Sequence, residues 1–323
     1  MEGSAAIAAP GVPATTRKPT GIRYFFKQLY LQRALVIMSV PFVIWLFIFR
    51  YLPLWGWVIA FQNYKPARSF SEQQWVGFAQ FEFLFTDERF FRVLRNTLVM
   101  SFENLILGFV TAITLALLLN EVRQLVFKRV VQTISYLPHF ISWVVAAGII
   151  QSTLATDGII NTLLMKFGLI EEELLFLGIG KWFWGIYGAS IVWKDVGWNT
   201  IVYLAAMTMI DPALYEAAEI DGAGRFKKMW HVTLPGIKSV IIVLLIMNTG
   251  YLLESGFDPQ YLLGNGMNID YSENIDIFVL NYGIRMSNYS LAVAAGMFKT
   301  VVSFILLFTA NNIAKRLGEA RLY

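Results

Sequence analysis

The segment YGASIVWKDVGWNT, residues 187–200, sets ionisable, amide and aromatic side chains into an otherwise apolar stretch. Tyr187, Ser190, Lys194 and Trp198 recur at helical spacing and share one face, with Asp195 and Asn199 as an adjacent polar stripe. Aromatic faces beside hydrogen-bonding groups suit sugar rings, and Trp193 supplies another indole. The Lys194 ammonium suits a uronate carboxylate. A charge at mid-span costs about 2.5–3.5 kcal/mol on insertion scales, so it faces a cavity or a partner. Two readings of Lys194 stay open: a cation in a substrate pathway, or structural glue paired with Asp195 or with an acid on another chain. Asn248 and Tyr251, on a later apolar run, are candidates for the same pathway. Glu103 and Asn104 are open, Gln151 reads as interfacial, and Lys299 has no evident partner. His139, after Pro138, is expected to bond freed backbone and is assigned no role.

A second stretch carries a different chemistry: DPALYEAAEIDGAGRFKKMWHVTLPG, residues 211–236. Asp211 is a natural N-cap and Pro212 sits where a missing N–H costs nothing. The following helix should stop at Asp221-Gly222, where glycine can take a positive φ. A second short helix, roughly 224–231, carries Arg225, Lys227 and Lys228 with Trp230, and Leu234-Pro235 closes the excursion. Ala217 and Ala218 leave little bulk, so this backbone can enter a narrow cleft. Glu216 and Asp221 offer charge to basic partners. A plain solvated loop explains poorly why both ends are built to be rigid.

The elements that must position these groups are membrane spans. The chain has 323 residues, 57% hydrophobic and 15% charged, which is the balance of a bilayer protein. It has no cysteine, and His139 and His231 give little support to a zinc site. Apolar runs long enough to cross lie near 34–52, 96–120, 130–155, 182–207, 237–255 and 290–312. They predict an all-α, six-span domain over 34–312, with Pro41 and Pro138 as kinks. Residues 1–23 read as a disordered cytoplasmic tail, 24–33 as an amphipathic interfacial helix, and 313–323 as a second tail.

Lys and Arg crowd one side: Arg17, Lys18, Arg23, Lys27 and Arg33, then Arg123, Lys128 and Arg129, then the 211–236 hairpin and the C-terminus. The other side holds fewer, among them Arg89, Arg92, Arg95 and Arg285, and its 254–289 loop is acidic. Both termini and the hairpin are therefore expected in the cytoplasm.

Residues 216–235 resemble the EAA loop of permease subunits of ATP-binding-cassette importers. The pattern is met by Glu216, Ala217, Ala218, Gly222, Leu234 and Pro235, with Val232 replacing the usual isoleucine. The segments 52–66, 96–102, 115–145 and 193–223 are similar to the subgroup that handles complex oligosaccharides and polysaccharides. The resemblance implies a type I importer fold, with the EAA loop docking in a groove of the ATPase. It also implies a second permease, an ATPase dimer, an external solute-binding protein, and an oligo- or polysaccharide cargo that includes acidic, alginate-like polymers. ATP and Mg would sit on the ATPase and no cofactor on this chain. The implied location is a bacterial inner membrane, with no nucleic-acid partner.

The residues agree on ATP, since no Gly-Lys-Ser/Thr follows a glycine at P-loop spacing and Gly180-Lys181 runs into Trp182. The alternatives are an ion-coupled secondary transporter, which gives the hairpin no task, and a membrane-embedded glycan-processing enzyme, for which the carboxylates are too scattered.

Overall fold

The computed structural model describes residues 22–253 and 256–316, divided into a unit ending at Gly56 and a unit from Trp57 onward. The expected tail is therefore outside the described residues up to 21, as are Glu254, Ser255 and the last seven residues.

In the first unit, α1 spans Ile22–Leu31 and α2 Arg33–Leu46, where α2 carries Pro41 without a break. A π-type turn, Phe47–Tyr51, continues it. No described residue of α2 is buried. The Arg33–Phe61 run that contains it is long and apolar enough to cross a membrane.

The second unit opens with a short antiparallel pair, β1 (Gln62–Asn63) and β2 (Gln74–Trp75), Gln62 opposite Trp75. Next come α3 (Ala79–Thr86) and α4 (Glu88–Glu121), the latter capped by Asp87, which accepts from the Arg89 N–H at 2.9 Å. The chain continues through α5 (Leu125–Tyr136), α6 (Trp143–Thr153), α7 (Ile159–Lys166) and α8 (Phe183–Met207). The hairpin consists of α9 (Pro212–Ile220), α10 (Arg225–Lys228) and the single turn α11 (Leu234–Gly236). It leads into α12 (Lys238–Gly250), three short helices α13 (Asp258–Leu263), α14 (Ile269–Ser272) and α15 (Ile275–Val279), and finally α16 (Tyr289–Arg316).

Among the described residues three helical runs are long and apolar enough to cross a membrane alone: Arg33–Phe61, Glu88–Glu121 and Tyr289–Arg316. Three bent pairs raise the number to as many as six if each is one span. The sharpest is Leu125–Phe140 with Trp143–Thr153, at 107°. Here the expected kink at Pro138 in the 130–155 run is a full break, two helices meeting at an elbow. Pro138 removes a donor, residues 137–140 tighten into a 3-10 turn, and Ile141 is extended. Ser142 then caps a new helix by accepting from the Val145 N–H at 3.3 Å. A proline followed by a cap does not kink a helix; it ends one and starts another.

The packing of α8 against α4 forms the centre. Ala112 and Ala116 meet Tyr203, Ala206 and Met207 at one end, while Met100 meets Phe183, Tyr187 and Ile191 at the other. The Thr200 hydroxyl crosses between the helices to the Ala112 carbonyl at 3.1 Å.

The segment between α12 and α16 folds inward instead of looping free. Glu273 is 1% exposed and accepts both Arg89 Nε at 3.0 Å and Arg89 Nη2 at 2.5 Å. Arg92 pairs with Asp270 at 2.9 Å, and Asn96 donates to the Asp270 and Glu273 carbonyls at 3.0 Å each. Lys299 is paired too, with Asp276 at 2.6 Å.

Candidate functional site

Two sites emerge, one between the helices and one on the hairpin. The first is a cavity of about 220 Å³ between α4, α8 and α12. Its polar lining is Ser101 and Asn104 from α4, Trp198, Asn199 and Tyr203 from α8, Asn248 from α12, and Tyr251. Four of the residues singled out in the sequence as pathway candidates, Trp198, Asn199, Asn248 and Tyr251, thus line one cavity. Ser101 and Asn104 complete it. Ser101 was missed because a hydroxyl in an apolar helix usually bonds its own backbone. Here its Oγ is buried without a partner. No side chain lining this cavity carries a formal charge.

The rest of the predicted stripe goes elsewhere. Tyr187 is fully buried in the core with Met100 and Phe183. Ser190 bonds back to the Ile186 carbonyl at 2.6 Å and, with Trp193, lines a separate and mostly apolar hollow against α6. Lys194 is 5% exposed. Its ammonium donates to the His139 carbonyl at 2.9 Å and the Pro138 carbonyl at 3.4 Å, and lies 5.5 Å from the Trp143 ring centroid. It does not pair with Asp195 and does not line the cavity. Of the two readings of Lys194, the geometry favours a structural one with a different partner. The acceptors are carbonyls of the elbow, Pro138 (which also accepts from the Ile141 N–H) and His139, and a buried ammonium needs several.

Asp195 bonds the His139 Nδ1 at 2.8 Å, which corrects the expectation that the imidazole would bond backbone. The same imidazole stacks on Trp198, centroids 4.5 Å apart and planes 6° from parallel, and Phe140 meets that indole edge-on at 5.7 Å. Gly197 completes the contact, because any Cβ there would fall on the Ser135 carbonyl. One α8 stretch therefore grips the elbow at every turn and fixes the indole that faces the cavity. Glu103 does not line the cavity; one of its carboxylate oxygens is buried without a hydrogen-bond partner. Gln151 ties α6 to α13 through the Leu262 carbonyl at 2.7 Å.

The second site is the hairpin. The Asp211 carboxylate accepts from the Ala213 N–H at 2.9 Å, and Pro212 occupies the first helical position. At the other end Gly222 has φ +74°, donating to the Glu219 carbonyl at 3.0 Å, while Ala223 donates to Ala218 at 2.9 Å. That pair of bonds is a Schellman stop, which needs the left-handed residue. A Cβ at 222 would meet nothing within 4 Å, so the demand for glycine is torsional and not steric. The arms are tied by Tyr215 to Thr233 at 3.0 Å and Lys228 to Glu219 at 3.1 Å.

Glu216, Ala217 and Asp221 are exposed, Ala218 and Leu234 half-buried, and Pro235 exposed. Around them Ile220, Phe226 and Trp230 are 87%, 82% and 66% exposed. Large apolar side chains held out on a rigid frame mark an interaction surface. Sequence reasoning, attending to the acids and alanines, had passed over Ile220 and Phe226.

Residues 104–319 match the family model for the binding-protein-dependent transport system inner membrane component. The chain is 45% identical over 316 residues to the polygalacturonan/rhamnogalacturonan transport system permease protein YteP of Bacillus subtilis (strain 168), covering 98% of each. It is 44% identical over 290 residues to protein LplB of the same organism, covering 90% of this chain and 91% of that one. Among solved structures it is similar, at 38% identity and a TM-score of 0.84 over 91% of this chain and 99% of that one, to a chain of a bacterial ABC transporter that imports the acidic polysaccharide alginate. A second match, a chain of a bacterial alginate ABC transporter in complex with its alginate pentasaccharide-bound periplasmic protein, has 37% identity and a TM-score of 0.85 over 92% and 99%. The exposed hairpin, the broken spans and the cavity between them are thus features of a membrane permease, and the chain belongs to the family of binding-protein-dependent transport system inner membrane components.

Proposed function

We propose that this chain is one of two permease subunits of an ATP-driven importer of acidic oligo- or polysaccharides. The observation that carries the reading is the 211–236 hairpin. It is locked at both ends and tied between its arms, yet it holds Ile220, Phe226 and Trp230 out to solvent beside Glu216 and Asp221. A frame so rigid with a surface so open fits docking into a groove of a separate ATPase dimer, which would hold ATP and Mg. The chain itself would carry no ATPase site and no cofactor.

The cavity beside Trp198 is the proposed substrate pathway of this subunit. An indole with one face covered by His139 offers the other to a sugar ring, and Ser101, Asn104, Asn199 and Asn248 surround it with groups that bond hydroxyls. The second permease would close the opposite wall, and an external solute-binding protein would deliver the sugar. The acidic cargo is supported by the relatives: alginate is acidic, and polygalacturonan is a polymer of uronate units.

Six spans with both termini and the hairpin in the cytoplasm form part of the reading. The excess of Lys and Arg near α5, the hairpin and the C-terminus supports it.

The test is co-expression with candidate ATPase and second-permease subunits, followed by reconstitution in proteoliposomes. Retention of the ATPase by an intact hairpin and uptake of oligogalacturonate that depends on ATP are expected. Uptake that proceeds on an ion gradient without any ATPase would sink the proposal.

A further inference from the structure

The inward-folded segment between α12 and α16 encloses a pocket of about 390 Å³, distinct from the cavity between the spans. Tyr261, Asn265, Glu273, Asn281 and Arg285 line it. Glu273 is already engaged, bound by Arg89 on one side and by the Asn281 Nδ2, which donates to it at 2.9 Å, on the other. Two groups are not. Among the described residues no carboxylate lies within ion-pair distance of Arg285, whose guanidinium donates to the Tyr261 hydroxyl at 3.3 Å and sits 6.0 Å from that ring. Asn281 is 8% exposed, and its side-chain oxygen has no hydrogen-bond partner.

These groups complement one another. The guanidinium fork suits a carboxylate. The Tyr261 ring is 43% exposed and is held by stacking on Phe257, centroids 4.9 Å apart, so it presents a fixed apolar plane. The Asn281 oxygen is an acceptor awaiting a hydroxyl. By contrast, the cavity beside Trp198 has no charged lining. We propose that this pocket is a second saccharide site, which takes a uronate-type sugar at the outer mouth and reads its charge before the neutral pathway is reached.

The position at the outer mouth rests on the importer reading above; the binding chemistry does not. A concave pocket with a sunken amide favours a small ring over the flat face of a docking protein, and the test separates the two.

The experiment uses the purified importer complex without nucleotide or binding protein, titrated with tetragalacturonate and with its methyl ester by saturation-transfer NMR. Wild type is expected to bind the acid better than the ester. Arg285→Gln, an exposed change, should weaken the acid about tenfold or more and leave the ester unchanged. Tyr261→Ala should weaken both.

An unchanged acid affinity in Arg285→Gln overturns the proposal, as does an equal loss for acid and ester. It is likewise overturned if Arg285→Gln loosens the complex's hold on sugar-free binding protein, since the surface then serves protein docking. Saccharide-stimulated ATP hydrolysis by wild type is read separately. Its absence alongside intact acid binding counts against the importer reading and leaves the pocket standing.

Discussion

The α8 segment 194–198 and the hairpin 211–236 lie about a dozen residues apart, and both combine charges with aromatic rings. They handle them in opposite ways. In α8 both charged groups find partners on the elbow within the chain: Lys194 on two carbonyls and Asp195 on His139, whose imidazole stacks on Trp198. On the hairpin, Glu216 and Asp221 stay exposed, and Ile220, Phe226 and Trp230 are held in solvent. The difference teaches where function resides. An intramembrane charge that is satisfied internally supports shape, whereas exposed apolar groups on a self-supporting frame are set for another protein.

The largest effect should come from Lys194→Met. It removes the donor that the half-buried His139 carbonyl holds at 2.9 Å and the second donor of the Pro138 carbonyl, which also accepts from the Ile141 N–H, a loss of about 1–3 kcal/mol. The purified complex should melt at lower temperature by intrinsic fluorescence. Any transport that survives should fall equally for acidic and neutral oligosaccharides. A selective loss of the acidic one in a complex of normal stability would break the contrast and return Lys194 to the pathway.

Next comes Gly222→Val. Holding a β-branched residue at the φ of +74° seen here costs about 1–2 kcal/mol, and the open space around position 222 offers no steric relief. We expect the variant to insert normally yet retain roughly tenfold less ATPase on affinity resin. Gly222→Ala, which also carries a Cβ, should lose retention in the same direction but less, and Gly222→Asn, which tolerates the left-handed region, should keep much of it. Normal retention in Gly222→Val would refute the torsional account.

Trp198→Ala should be smaller and different in kind. Removing the indole from the cavity should raise the KM for saccharide uptake several-fold, consistent with about 1 kcal/mol, while ATPase retention is unchanged. A parallel drop in assembly would mean that the stack on His139 matters chiefly for packing.

The smallest effect belongs to Asp195→Asn. The hydrogen bond is partly solvated, with side chains 31% and 28% exposed, and the amide can still accept from His139. A change of a few tenths of a kcal/mol is expected, visible as a shift of about a degree or less in the melting of the complex. A loss as large as that of Lys194→Met would show that the imidazole, rather than the ammonium, braces the elbow.

Some of this was legible along the chain because its physics is local. Asp211-Pro212 is a helix start and Gly222 a left-handed stop wherever such residues occur. The hairpin could therefore be read from the chain, and so could the apolar runs and the excess of Lys and Arg near α5 and the hairpin.

What the sequence left open depended on groups distant along the chain. Spacing alone put Tyr187, Ser190, Lys194 and Trp198 on one face. Only the packing of α8 against α4, α5 and α6 sent Tyr187 to the core, Lys194 to the elbow and Trp198 to the cavity. A face of α8 is decided by which neighbour lies beside each turn, and those neighbours are 50 or more residues away: the Lys194 bonds span 55 and 56 residues. In the same way Lys299 looked unpaired until the fold brought Asp276 to it, and the acidic segment between α12 and α16 looked like loop until α4 supplied its arginines. Caps, turns and apolar runs obey torsion and solvation over a few residues, so the sequence by itself determined them. The partners of buried charges are chosen by which helices meet, and only the tertiary structure decided those.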